Sequence, residues 1–430
     1  MTSTETLIDL PSLAAAVRER RDAHVRMLCD LVAFPSLLGQ EGDAQRYMAQ
    51  TFERMALQVD EFEIDDAALR AHPGYSPSLM SYAGRPNVVG IHTPRGAATG
   101  RSLILNGHID VVPVGDERLW SHPPFSPVVR DGRVYGRGSA DMKAGIVSYT
   151  LAMQTLAELG FEPAASVFLQ SVVEEECTGN GALGCLVRGY RADAAIIPEP
   201  TPGIMDAQLG VMWLTLQVQG MPVHAAYASE GSSAIDFAQH MFDALRRLAD
   251  QWNHAGCRHA RYVDHAKPIN FNLGKLQGGE WASSVPTQCE AQIRVSYYPG
   301  VTADDALAMI RAALAEAFEA HSNKQAFHWT IENTGGFRAD GFVLDTQMPL
   351  IRTLSQCHAD LHHRGPDMVA FTGTTDAKFF NLYGKTPAVC YGAAGTSIHG
   401  IDESVAIDDM LDTTTVIAWF IARWCGLNAI

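Results

Sequence analysis

Between residues 12 and 33 the apolar positions Leu13, Val17, Val25, Leu28 and Val32 recur among charged neighbours at the spacing of an amphipathic helix. Further on, short apolar runs take over at 102–106, 165–173 and 193–198. The stretch 142–159, closed by Gly160, has the composition of a helix and lies between the first two runs. Strands alternating with helices predict an α/β sheet covered on both faces.

Near residue 212 the pattern changes. Residues 212–219 alternate apolar and polar with period two, as a half-exposed strand does, and 269–273, 288–296 and 328–331 have the same character. Helical stretches at 232–253 and 302–320 fall between them, which predicts an α+β module with one polar sheet face. After Gly335 and Gly336 the first pattern resumes, with a helix at 346–361, a buried strand at 387–391 and a helix at 407–424. The expected organisation is one α/β domain, residues 1–211 and 334–430, interrupted by an inserted α+β domain at 212–333.

Composition narrows the function. Among 430 residues, 32 Lys and Arg stand against 48 Asp and Glu, a net charge of −16. With no basic stripe visible, that surface repels nucleic acid and acidic membranes. A hydrophobic fraction of 47% is ample for a core and excludes low-complexity disorder. The first ten residues lack the features of a secretory signal, and no apolar run reaches roughly 18 residues. The 8 cysteines are scattered without C-x-x-C spacing, so reduced thiols in a cytoplasmic protein are expected.

Five segments place His, Asp or Glu just past an apolar strand or at a helix entrance, where open α/β sheets present ligand sites. They are Gly107-His108-Ile109-Asp110, the Gly-rich turn 136–145 containing Asp141, the acids Glu174, Glu175 and Glu176, Glu199 between two prolines, and His399 in the loop 395–403. Three carboxylates beside the end of a buried strand cost free energy unless a cation or shared proton is present. Two histidines and at least three carboxylates suit zinc, cobalt or manganese, and two divalent cations bridged by one carboxylate are expected. A serine nucleophile has no G-x-S-x-G elbow here, and the thiolate of Cys177 is disfavoured beside three acids.

In this order and spacing, G-H-x-D, G-R-G-x-x-D-M-K-x-G, E-E, E-P-T and G-T-x-x-H-x-x-D-E resemble the M20 metallo-amidohydrolases. These include aminoacylase, carboxypeptidase G2, acetylornithine deacetylase and succinyl-diaminopimelate desuccinylase. The likeness runs from about residue 25 to 425. It implies a phosphorylase/hydrolase-like mixed-sheet catalytic domain and a ferredoxin-like lid that dimerises. It further implies His108, Asp141 and Glu199 as ligands of one metal, and Asp141, Glu176 and His399 as ligands of the other. Glu175 matches the general base, Asp110 the acid supporting the site near His108, and His224 a lid histidine that reaches the partner's site. Glu174 and Glu175 could instead fill the base and ligand roles; the position of Gly181 favours Glu175 and Glu176.

The chain departs from the family pattern twice. Ser283 stands where the lid has an asparagine, and Ser296 where a substrate-binding arginine is expected, with Arg294 two residues earlier on the same strand face. The implied activity is hydrolysis of an amide C–N bond in a small N-acylated substrate, by water whose pKa the cations lower. N-acyl amino acids are the first expectation, with Arg294 as carboxylate clamp. Dipeptides and N-formyl or N-acyl aminomethyl heterocycles are the alternatives, and a catalytically dead scaffold is the reading from another class. Tyr75, Tyr82, Trp120 and Phe125 are candidate pocket aromatics.

Overall fold

Strands that are covered on both faces read as continuous apolar runs, and four such strands form the centre of the main sheet. In the computed structural model, which describes residues 7–201 and 203–430, they are Val167–Val172, Leu103–His108, Ala195–Ile197 and Ala388–Cys390, side by side and parallel. Asn87–His92 and Gln58–Phe62 extend one edge antiparallel. Ile204–Gln208 extends the other, flanked by Met368–Phe371 and Phe342–Val343, to make a nine-stranded mixed sheet. The helix Ala144–Glu158 packs on this sheet and against the long helix Ile407–Trp424. Both helices are buried over most of their surface, as helices apolar on nearly every side must be.

The second sheet follows directly. Gly210–Gln219, helix Ala234–Trp252, Phe271–Gly278, Gln288–Tyr297, helix Ala303–Ala320 and His328–Glu332 make a βαββαβ unit. Its strands are antiparallel, with Gly210–Gln219 between Gln288–Tyr297 and His328–Glu332, which is the ferredoxin-like arrangement. Leu214, Leu216, Ile293 and Val295 face Met241, Leu245, Ile310 and Leu314 of the helices in a separate core. Trp213, Thr215, Gln292 and Arg294 therefore occupy the opposite, polar face. The chain leaves the main sheet at Leu209 and returns near Gly341, where a Cβ would stand 2.6 Å from the Gln208 carbonyl oxygen. Only glycine permits that approach.

A third sheet of four very short strands, Gly395–Thr396, Ser404–Ala406, Arg133–Tyr135 and Val128–Arg130, joins two distant parts of the chain. One expectation is corrected. Residues 12–33 are not a single helix but two, Leu10–Glu19 and Arg21–Val32. At the break the Arg20 amide bonds back to Val17, an i→i−3 tightening, and the Arg20 carbonyl accepts from the amides of Ala23 and His24.

Candidate active site

Every histidine and carboxylate singled out in the sequence, except His224, lies at or near the carboxyl ends of the central parallel strands. His108 is the last residue of its strand, and Glu174–Glu176 follow Val167–Val172. Glu199 stands two residues past Ala195–Ile197, and His399 sits in the loop after Gly395–Thr396. Asp141 lies in the tight turn Ser139–Lys143 that opens the helix Ala144–Glu158, and its peptide bond to Met142 is cis. Glu174 and His399 hold left-handed backbone, φ 68° and 59°, unusual for residues other than glycine.

Asp141 uses both oxygens. Oδ1 is 3.2 Å from Nε2 of His108, and Oδ2 is 3.3 Å from Nε2 of His399, which is also 3.1 Å from Oε1 of Glu176. Glu199 Oε2 is 3.8 Å from the same nitrogen of His108. His108 turns its Nδ1 toward the Asp110 carbonyl oxygen at 2.9 Å, so the backbone of Asp110 orients the ring. The carboxylate of Asp110 does something else: its two oxygens accept the amides of Glu175 and Glu176, both at 3.1 Å, and so hold the acidic loop against the His108 loop.

The three consecutive acids have different surroundings. Glu174 is fully buried and occupied, accepting from the hydroxyls of Tyr82 at 3.0 Å and Thr178 at 2.9 Å and pairing with Arg85 at 2.9 Å. Glu176 faces His399. Glu175 is also buried, and its Oε1 has no hydrogen-bond partner among the described residues. Such an orphaned acceptor is costly unless a ligand or water satisfies it.

Several residues that hold this geometry carried no signal of their role in the sequence. Glu403, buried, accepts from Arg137 Nη1 at 2.6 Å and from the amides of Gly138, Ala140 and Asp141, and so fixes the turn that presents Asp141. Arg85 grips Glu41 with two nitrogens, 2.9 and 2.6 Å, while pairing with Glu174. Asp376 and Lys378 are buried as well. Both Asp376 oxygens lack partners among the described residues, and Lys378 Nζ donates to the Thr375 carbonyl at 3.2 Å. A cluster of apolar neighbours around these charges would have been needed to foresee them, and only the fold supplies that.

The electrostatics follow from crowding. Burial pushes the Glu175 and Glu199 carboxyls well above the ordinary range, with His108 opposing and neighbouring acids adding to the effect. Burial disfavours charge on His108 and His399. For His108 the Asp141 bond and the Glu199 charge outweigh it, and for His399 the Glu176 charge and Asp141 bond do so, raising it to about 11. Without a metal, the carboxylates thus favour the protonated imidazoles; a divalent cation, binding the neutral rings, answers the same negative charge. The donors suit divalent metal equally well: His108 with Glu175 and Glu199, and His108 with Asp141 and Glu176, each bring one nitrogen or oxygen donor within 4.8 Å of the others. The nitrogen and oxygen donors fit divalent cations, but the grouping differs from the expected sets: Glu175, the expected base, joins one group, and His399 belongs to neither.

These groups open onto a cleft of about 690 Å³. Trp213, Phe337 and Phe371 supply its aromatic wall, with Leu38, Leu79 and Ile398. The aromatics expected from the sequence do not line it. Tyr82 is bonded to Glu174, Tyr75 donates to Asp66, Trp120 donates to the Val114 carbonyl, and Phe125 also lies outside the lining. Arg294 does line the cleft, with Nη2 3.4 Å from the Thr372 carbonyl. Ser296 is buried, its hydroxyl donating to the Asn270 carbonyl. His224 is exposed on the lid, beside Ser284, outside the cleft lining of its own chain. Cys177 is buried at the cleft wall with its thiol pushed up by burial and by Glu174.

A mixed α/β sheet with a ferredoxin-like insertion, and a histidine and carboxylate centre at its strand ends, define a metal-dependent amide-bond hydrolase. The chain belongs to peptidase family M20/M25/M40, whose pattern matches residues 104–423. It is 26% identical to the N-formyl-4-amino-5-aminomethyl-2-methylpyrimidine deformylase of Bacillus subtilis, over 96% of this chain and 97% of that protein. The enzyme of the same name from Halalkalibacterium halodurans is also 26% identical, over 97% and 98%. Among solved structures, a di-peptidase from Saccharomyces cerevisiae superimposes with a TM-score of 0.78 at 13% identity, covering 97% of this chain and 98% of that one, a likeness of fold.

Proposed function

We propose that this enzyme removes a formyl or similarly small acyl group from an amine carried on a planar heterocycle. The observation that carries this reading is the cleft wall. Aromatic Trp213, Phe337 and Phe371 share one cavity with Asp141, Glu175, Glu176 and His399, so a flat ring and a scissile amide fit side by side. End-to-end similarity to two deformylases of an aminomethylpyrimidine supports it.

In the proposed roles, His108, Asp141 and Glu199 hold one divalent ion and Asp141, Glu176 and His399 the other, with zinc proposed and cobalt or manganese as alternatives. When bound, such ions supply Lewis acidity and lower the pKa of water. Glu175 takes a proton from the attacking water at Oε1. As the C–N bond breaks, it returns that proton to the leaving amine nitrogen, which completes the balance of water, acid and amine. Asp110 keeps Glu175 and Glu176 in place. His224 acts from the lid of a second copy in a homodimer, donating to the developing oxyanion.

A second reading, deacylation of N-acyl amino acids, is favoured by Arg294, a guanidinium on the cleft wall that forms no ion pair among the described residues. Product release from the metal-loaded enzyme, with N-formyl-4-amino-5-aminomethyl-2-methylpyrimidine, N-formyl, N-acetyl and N-carbamoyl amino acids, and dipeptides, separates the two. The pyrimidine is expected to exceed the others in kcat/KM by about tenfold or more. Turnover confined to N-acetyl amino acids would replace the first reading with the second.

A further inference from the structure

A second cavity of about 350 Å³ opens from the cleft along the polar face of the five-stranded sheet, sharing Leu79, Trp213 and Arg294 with it. Its floor is set by strand register. Trp213, Arg294 and Asn272 form one cross-strand row, and Thr215, Gln292 and Lys275 form the next, about 7 Å farther from the cleft. Leu79 also lines this cavity, its segment tied in place where the Gly336 amide donates to the Pro77 carbonyl and the Arg338 amide to the Ser76 hydroxyl. The hydroxyls of Thr215 and Thr334 meet at 2.8 Å beneath it.

The charges in this groove are unusual for the chain. Net charge is −16, yet the groove lining holds Arg294 and Lys275 and no carboxylate. Among the described residues neither cation forms an ion pair, although the same sheet face carries Glu290 one row beyond, where Gln217 donates to it. Two cations without ion pairs, with the amide side chains of Asn272 and Gln292, lead away from the scissile position and make a cradle for an oxyanion; the Thr215 and Thr334 hydroxyls bond each other, and Gln292 also donates to Glu290 at 3.5 Å.

We propose that this groove is an extension of the substrate site that receives a terminal oxyanion, carboxylate or phosphate-like, on the far end of the leaving amine. Arg294 meets the near part of that amine, and Lys275 with Gln292 meets the anion. The inference rests on the amine-side orientation of the proposed deacylase reading, and it extends that reading from a compact heterocycle to one bearing an acidic arm.

The test compares N-formylbenzylamine with its 4-carboxymethyl and 4-phosphonomethyl derivatives, in the wild-type enzyme and in Lys275→Glu. In the wild type, kcat/KM for at least one anionic formamide is expected to exceed that for the neutral one by about fivefold or more, chiefly through KM. The preferred derivative tells a carboxylate from a phosphate-like end. In Lys275→Glu that ratio is expected to fall to about one or below. Equal wild-type values for neutral and anionic formamides, or a ratio that survives Lys275→Glu, would overturn the proposal. If no formamide is hydrolysed, the deformylase reading fails. The groove is then read by calorimetric titration with 4-(phosphonomethyl)benzylamine, where tighter binding to wild type than to Lys275→Glu supports it and equal binding sinks it.

Discussion

Asp141 and the three consecutive acids show how neighbouring carboxylates take different tasks from their surroundings. Glu174 accepts from Tyr82 and Thr178 at Oε1 and pairs with Arg85 at Oε2, whereas Glu175 keeps Oε1 free and Glu176 faces His399. Glu175→Gln is therefore expected to lower kcat by about 10²–10⁴-fold while the protein retains its metal, checked by steady-state kinetics beside elemental analysis. Glu174→Gln is expected to act mainly on stability, seen as a lower midpoint of denaturation. A catalytic defect confined to Glu174→Gln would reverse the assignment of the two positions. The chemical types at this site were legible in the sequence, because His and acids just past apolar runs mark strand ends. Which acid is spent on structure was indicated only through the family resemblance, by the position of Gly181; its physical cause was not legible, since it depends on Arg85 arriving from a segment about ninety residues away.

At the scale of elements, the strands Arg133–Tyr135, Gly395–Thr396 and Ser404–Ala406 align the Asp141 turn with the His399 loop. Strands of two or three residues carry no measurable period, so this sheet was invisible to pattern reading, while the long runs at 102–106, 165–173 and 212–219 were plain. Its ties are polar: Arg137 and Glu403 pair at 2.6 Å, both almost completely buried. Removing one partner of such a pair leaves a buried charge uncompensated, so Arg137→Met is expected to cost about 3–5 kcal/mol, measured by urea denaturation of the metal-free protein. Because Glu403 also accepts the Asp141 amide, the variant is further expected to bind metal more weakly in a competition assay with a chelator. An unchanged metal affinity would show that the turn is held by its own backbone.

Across the whole molecule, the second and last helices of the main domain are joined through one imidazole. His24 lies on Arg21–Val32 with Nδ1 3.0 Å from the Arg20 carbonyl oxygen, and Nε2 3.2 Å from the hydroxyl of Thr414 on Ile407–Trp424. Burial, only partly offset by the bond to Arg20, lowers its pKa from the ordinary 6.5 to about 4. The sign follows: between pH 6.5 and 4 the unfolded chain binds a proton at this position that the folded chain does not. Stability therefore rises with pH through that window and is lost as pH falls, by about 3 kcal/mol once both values are passed. The acidic cleft and the surface carboxylates titrate in part of the same range, so the single-residue contribution is read as a difference. His24→Phe keeps the apolar contacts and removes the proton site, and its denaturation free energy, measured from pH 7 to 4, should fall less steeply than that of the wild type. Parallel curves for the two proteins would show that the folded imidazole takes up its proton at the ordinary pKa, helix Ile407–Trp424 yielding to admit water.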